Sequence, residues 1–274
     1  MSHLLLAACA ILSLVPAGLR AHWGEGTRNS VFWALALVAV AGPASYLAAG
    51  LSGPAGVWHA GPAGSLWVTV TWAAILYLFL SLVSAGAHRL AALVYPYLAV
   101  LALLALLTEF LPSSAPEARP VGAVLGDPWL LFHVVVSVVT YGLLTLAAVS
   151  ALAVIIQERS LKSRKKSKIS DILPAARTAE TLQIGLLAAA GVVLLLGLAT
   201  GMAVEFRSSG QLLVLDHKTL LVLLSFLAIA ILLAIHWQSG MRGRQAARWI
   251  LVAYLLLSLA FPGVKFISYV LLGR

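Results

Sequence analysis

Residues 129–156 read WLLFHVVVSVVTYGLLTLAAVSALAVII, from Trp129 to Ile156, with no aspartate, glutamate, lysine or arginine among them. A strand crossing a membrane needs only about 9–11 residues and alternates in polarity. This run is far longer, and its apolar residues are continuous instead of alternating. A helix rising about 1.5 Å per residue crosses about 30 Å of hydrocarbon in roughly 20 residues. The segment therefore predicts a membrane-spanning helix.

The same reading repeats along the chain. Apolar stretches over roughly 3–19, 31–51, 65–86, 90–110, 129–156, 181–204, 217–239 and 249–271 predict eight spans. The third and fourth are parted by little more than His88 and Arg89, which predicts a tight helical hairpin. Leu6-Ala7-Ala8-Cys9 has the look of a lipoprotein cleavage box, but no basic stretch precedes it and the apolar run continues to Leu19, so the segment reads as a span. The expectation is one all-α, polytopic membrane bundle over residues 1–274. Composition agrees: of 274 residues 62% are hydrophobic and 10% charged, with a mean hydropathy of +1.01. A soluble domain carries about 25% charged residues. With one cysteine, neither an internal disulfide nor a cysteine-based metal cluster is expected.

Basic residues outnumber acidic ones 18 to 9. With the N-terminus placed outside, 13 of the 18 fall on the inner side and 5, namely Arg119, Arg207, Lys218, Lys265 and Arg274, on the outer side. The positive-inside rule then puts both termini outside. The densest run, Arg159 to Lys168, reads as a topology anchor against anionic lipid, and no fold surrounds it that would bind nucleic acid. Trp23, Trp33, Trp237 and Trp249 fall at inner ends and Trp58, Trp67 and Trp129 at outer ends, the positions of two interfacial belts. Gly197 and Gly201, with Gly185 and Gly191 before them, predict close helix approach, and Pro43 predicts a kink in the second span.

Ionisable side chains inside membrane spans are costly and mark candidate sites. His133 lies about one turn below the outer interface, and Ser137, Thr140 and Tyr141 share its helix face. That stripe reads either as a ligand face or as interhelical hydrogen bonding. His217 opens the seventh span behind Asp216, a natural helix cap. Both spans run from outside to inside, so the two histidines lie on one side at similar depth. Two neutral imidazoles meeting across the bundle could ligate one b-type haem iron axially, without a covalent link. Another transition metal fits less well, since no third or fourth ligand is evident. Arg119, Arg207, Lys218 and Lys265 are the outer cations available to propionates. His88 and His236 form a second pair at the inner ends, read either as an inner haem site or as interfacial residues. His22 and His59 read as solvated, and His3 as part of a frayed terminus. No nucleotide loop, nucleophile elbow or HExxH occurs, so no enzyme is expected.

These residues carry a family resemblance. Trp129-Leu-Leu-Phe-His133-Val with Tyr141-Gly142, Asp216-His217-Lys218-Thr219, Ala234-Ile-His236-Trp followed by Gly240 to Arg248, and Phe261-Pro-Gly-Val-Lys265-Phe occur in order. Together they resemble the cytochrome c assembly family, membrane haem-handling proteins of CcsA and HemX type, most strongly over 129–270. Residues 205–216 contain no tryptophan, and 268–274 no histidine. The chain is thus similar to the HemX-like branch, which lacks the tryptophan-rich motif. The resemblance implies haem delivery or handling at the outer face of the cytoplasmic (inner) membrane during cytochrome c biogenesis, with a maturation protein as partner. Two alternatives stand beside it: a transmembrane electron-transfer haem protein, and a transporter or scaffold whose histidines only pack helices.

The charge asymmetry makes a direct prediction. In a Cys9→Ser background, Ser2→Cys is expected to react with a membrane-impermeant maleimide on intact cells, and Ser167→Cys only after permeabilisation. The reverse pattern would invert the topology.

Overall fold

The computed structural model describes residues 2–23, 28–51, 57–59, 62–110, 118–120, 126–164, 167–212, 214 and 216–260. Among the described residues nine α-helices follow one another: α1 (Ser2–Trp23), α2 (Ser30–Leu51), α3 (Pro62–Val83), α4 (Ala91–Glu109), α5 (Pro128–Ser163), α6 (Lys168–Ile172), α7 (Ala176–Ser209), α8 (His217–Ser239) and α9 (Gly243–Ser258). A 3₁₀ turn, Ala87–Leu90, joins α3 to α4 as the expected hairpin. The Tyr77 hydroxyl pins that turn by donating to the carbonyls of His88 (2.9 Å) and Ala87 (3.3 Å). Two short strands, β1 (Val57–His59) and β2 (Ala118–Pro120), pair antiparallel and tie the α2–α3 connection to the α4–α5 connection.

Among the described residues seven helices are long and apolar enough to cross a membrane, and the chain is an all-α polytopic membrane protein. The eighth expected span, 249–271, begins as α9, and its outer part lies outside the described residues. The first span is longer than expected and runs to Trp23. At 36 residues, or about 54 Å, α5 is longer than the hydrocarbon of a bilayer is thick; the end of the bundle that carries its charged last turns is termed inner, after the expected topology, and the opposite end outer. The helix α2 continues through Pro43.

Water drives apolar faces together in soluble proteins, but lipid is as apolar as leucine, so close packing and hydrogen bonds must hold this bundle. The helix α5 is its axis. From Thr140 to Ala151 every residue except Leu143 is buried, the pattern of a helix surrounded by others. It packs most extensively on α7, then on α9 and α3. The first four helices also pack on one another, and α3 joins them to α5. Glycine permits the closest approaches. A Cβ at Gly142 would overlap Leu76 of α3, one at Gly42 would overlap Ser13 of α1, and one at Gly197 would touch Val136 of α5 at 3.5 Å. Gly191 does the same for α8, where Ile229 would lie 3.0 Å away. Gly185 departs from the expectation: nothing lies within 4 Å of its Cβ position, so it faces open space.

At the inner ends, polar side chains tie helices together. Arg20 donates to Asn29 Oδ1 (3.0 Å) and Arg28 to the Leu82 carbonyl (3.3 Å). Gln157 of α5 donates to the carbonyls of Ser170 (2.8 Å) and Pro174 (3.0 Å), which holds the α6 segment. Glu158 accepts from the backbone N–H of Arg244 at 2.8 Å and so caps α9 from a neighbouring helix.

Gly243 makes that cap possible. Its φ is +66°, and a Cβ there would overlap Glu158 Oε1. Gly243→Ala is expected to destabilise the protein by at least about 1–2 kcal/mol, the cost of a left-handed residue alone. Gly185→Ala, in open space within a helix, is expected to stabilise by about 0.5–1 kcal/mol. Thermal unfolding in detergent measures both.

Candidate functional site

The outer ends of α5 and α7 build the first candidate site. Asp127 starts α5 by accepting from the N–H groups of Trp129 (3.0 Å) and Leu130 (3.4 Å). Two turns on, the half-buried His133 faces α7. Its Nδ1 lies 3.1 Å from Thr200 Oγ1. Its ring lies against Gly201, whose Cβ position is 2.9 Å from the ring carbon Cε1. The two helices are antiparallel, so Val136 meets Gly197 one turn further in. Arg207, in the last turns of α7, reaches back to Asp127 at 3.8 Å. Both partners are substantially exposed, and such a pair contributes only about 0–1 kcal/mol. It leaves a guanidinium at the same end of the helix pair as His133.

Of the rest of the expected stripe, Thr140 and Tyr141 face inward and Ser137 is half-buried. Thr140 is buried and donates to the Val136 carbonyl of its own helix (2.9 Å). The Tyr141 hydroxyl donates to the Leu257 carbonyl of α9, an interhelical hydrogen bond. His217 is exposed at the start of α8, where Asp216 accepts from the N–H of Thr219 at 2.7 Å as the expected cap. Among the described residues α8 makes little contact with α5 and packs on α9 and α7. Lys218 is the second residue of α8, and Arg119 pairs through its backbone with Trp58 in the strand pair. Lys265 lies outside the described residues. The inner histidines have separate surroundings. His88 packs edge-on to Phe32 at 6.0 Å beside Arg20 and Tyr95, while His236 is 2.7 Å from the Met241 carbonyl at the end of α8.

A second outer constellation escaped the sequence reading. Glu109, the last residue of α4, gathers one residue from each of three other helices. The Trp67 indole N–H of α3 donates to Oε1 at 3.2 Å, and the Tyr46 hydroxyl of α2 donates to the same oxygen. His3 of α1 lies 3.7 Å from Oε2 and 3.3 Å from the Tyr46 hydroxyl. The Tyr46 and Trp67 rings lie 4.4 Å apart, tilted by 33°. Trp67 is therefore not a belt residue: it is 1% exposed, because its N–H has a carboxylate partner inside the bundle. Nor is His3 simply frayed, since it packs edge-on to Tyr46 in the first turn of α1. The available signal was the carboxylate itself, at the very end of an apolar span. By contrast Trp23 and Trp237 are 82% and 74% exposed, as belt residues should be.

The sequence model of the cytochrome C assembly protein family matches residues 62–272. The uncharacterized 28.8 kDa protein in the nifR3-like 5′ region of Azospirillum brasilense is 43% identical over 269 residues, 96% of each chain. Protein HemX of Brevibacillus brevis is 27% identical over 157 residues, 57% of each chain. No solved structure matches. The family match begins at the first residue of α3 and takes in the whole of 129–270, the region of strongest resemblance.

The Glu109 constellation straddles that boundary, since Trp67 and Glu109 lie within the match and His3 and Tyr46 precede it. Glu109→Ala leaves the buried Trp67 N–H and Tyr46 hydroxyl without their acceptor. The expected cost is about 1–3 kcal/mol, read as a lower unfolding temperature in detergent. Glu109→Gln, which keeps a carbonyl acceptor, is expected to lose less.

Proposed function

We propose a haem-handling role from one premise: the chain belongs to the cytochrome C assembly protein family. That membership carries the coarser statement, a multi-pass membrane protein of cytochrome c biogenesis. The finer reading is that the protein holds haem b non-covalently at the outer ends of α5, α7 and α8 and hands it to a maturation partner. It performs no chemical step of its own. The membrane is the cell's cytoplasmic membrane, with the basic loops on the cytosolic side and both termini opposite.

One observation carries this reading. His133 is an imidazole near the outer end of an otherwise uncharged apolar span, seated on a glycine and hydrogen-bonded through one ring nitrogen to Thr200. A metal-ligating histidine has its other ring nitrogen anchored by a neighbouring partner, and the Thr200 contact is of that kind. The donor set also suits haem, whose iron accepts two axial imidazole nitrogens. His133 would supply one and His217, exposed at the outer start of α8, the second. Arg207 would exchange Asp127 for a propionate, one carboxylate for another, at little cost because the existing pair is solvent-exposed. Arg119, Lys218 and Lys265 are the remaining outer cations for propionates. His88 and His236 belong to this reading only as an inner site where haem is taken up. The partial likeness to a protein named HemX supports the same direction.

The test is an absorption spectrum with a pyridine-haemochrome count on detergent-purified protein, oxidised and reduced. A bis-histidine b-type spectrum is expected, with one haem per chain for the outer site alone. His133→Ala and His217→Ala are each expected to lose most of the haem while still inserting in the membrane. Wild-type spectra in both variants would remove the site assignment, and a haem-free wild type would remove the haem.

A further inference from the structure

We infer that Thr200 sets the tautomer of His133, with the proton on Nδ1 and the lone pair on Nε2, and that Gly201 fixes the plane of the ring. The functional consequence rests on the haem reading above; the assignment of the proton does not.

A threonine hydroxyl has one proton to give and two lone pairs. In Thr200 the proton is aimed at its own helix, with Oγ1 2.9 Å from the Leu196 carbonyl and 3.1 Å from the Gly197 carbonyl. Those carbonyls are the usual destination of a threonine proton inside a helix. A proton committed there is not available to His133. Oγ1 therefore meets Nδ1 with a lone pair, and the imidazole is the donor across their 3.1 Å contact. A neutral imidazole protonated on Nδ1 carries its acceptor lone pair on Nε2. That is the form in which histidine ligates a metal through Nε2, with the other nitrogen anchored by a neighbouring acceptor.

Gly201 contributes the geometry. Its Cβ position lies 2.9 Å from Cε1, 3.5 Å from Nδ1 and 3.7 Å from Nε2. Three ring atoms within 4 Å mean that the imidazole lies across the bare α-carbon, and any side chain there must push it away. Thr200 and Gly201 thus act together on one ring: the first fixes the proton, the second the plane. Both are positioning residues, acting on haem only through His133.

The test uses full-length, detergent-purified, haem-free protein labelled with ¹⁵N-histidine, at a pH where imidazole is neutral. The His133 signals are identified by their loss in His133→Ala. The expected wild-type pattern is that of the Nδ1-protonated tautomer. Thr200→Val, which keeps the shape and removes the acceptor, is expected to shift the signals toward the Nε2-protonated form, and Thr200→Ser to restore them. Gly201→Ala is expected to displace the ring signals, whereas Gly185→Ala, in open space, leaves them unchanged. In parallel, Thr200→Val is expected to weaken haem retention about 10- to 100-fold, the usual effect of removing a ligand's anchoring partner. If the tautomer is the same in wild type and Thr200→Val, the inference is overturned, whatever the haem content. If the tautomer responds as expected but neither protein holds haem, the haem reading fails and the proton assignment stands.

Discussion

The rest of the structure depends on how closely α5 and α7 can approach. In a bilayer there is no hydrophobic gain in bringing two apolar helices together, because lipid tails solvate them equally well. What remains is contact at short range, and short range requires small residues on one side. Gly197 and Gly201 supply it: Val136 packs over the first and His133 over the second. The same surface that lets the helices touch is the surface on which an imidazole is held. A larger residue at 201 would part the helices and misplace the histidine together, so packing and site are one constraint.

Around that pair the bundle is closed by hydrogen bonds that each cross between elements. Tyr141 reaches the Leu257 carbonyl of α9, the Tyr97 and Tyr254 hydroxyls join α4 to α9, and Glu158 caps α9 from α5. The tyrosine contacts take polar groups that would be expensive alone in hydrocarbon and give each a partner on another helix. These few bonds settle which apolar faces meet, since leucine and valine surfaces discriminate weakly among themselves.

Much of this was legible in the sequence, and the reasons differ by level. The spans were readable because hydrocarbon thickness fixes helix length, and apolar runs such as 217–239 record it directly. The Asp216 cap was readable because capping is local, with the acceptor two or three residues from the donor. The face of His133 was readable from helical spacing, but its partner was not: Thr200 is 67 residues away, on a helix whose rotation no local pattern sets. Trp67 was misread for the same reason. A tryptophan near a span end is usually interfacial, and only the long-range arrival of Glu109 makes it a core residue. Gly185 failed in the opposite sense, since glycine spacing marks a face that allows close approach without saying that a helix takes it.

The boundary of the family match gives the architecture a division of labour. The match starts at α3, yet α1 and α2 are built into the bundle by α1 contacts on α4 and α2 contacts on α3. Their attachment at the outer face is polar and specific, because His3 and Tyr46 converge on a carboxylate that the matched region provides. A carboxylate at the end of an apolar span needs donors, and Trp67 alone fills only part of its capacity. The two leading helices complete that demand, so Glu109 serves as the socket into which they plug. The chemistry assigned to α5, α7 and α8 lies on the far side of the α3–α5 contact. Among the described residues the leading helices pack mainly on each other and on α3 and α4, which makes them supports for the bundle and not parts of the proposed haem site.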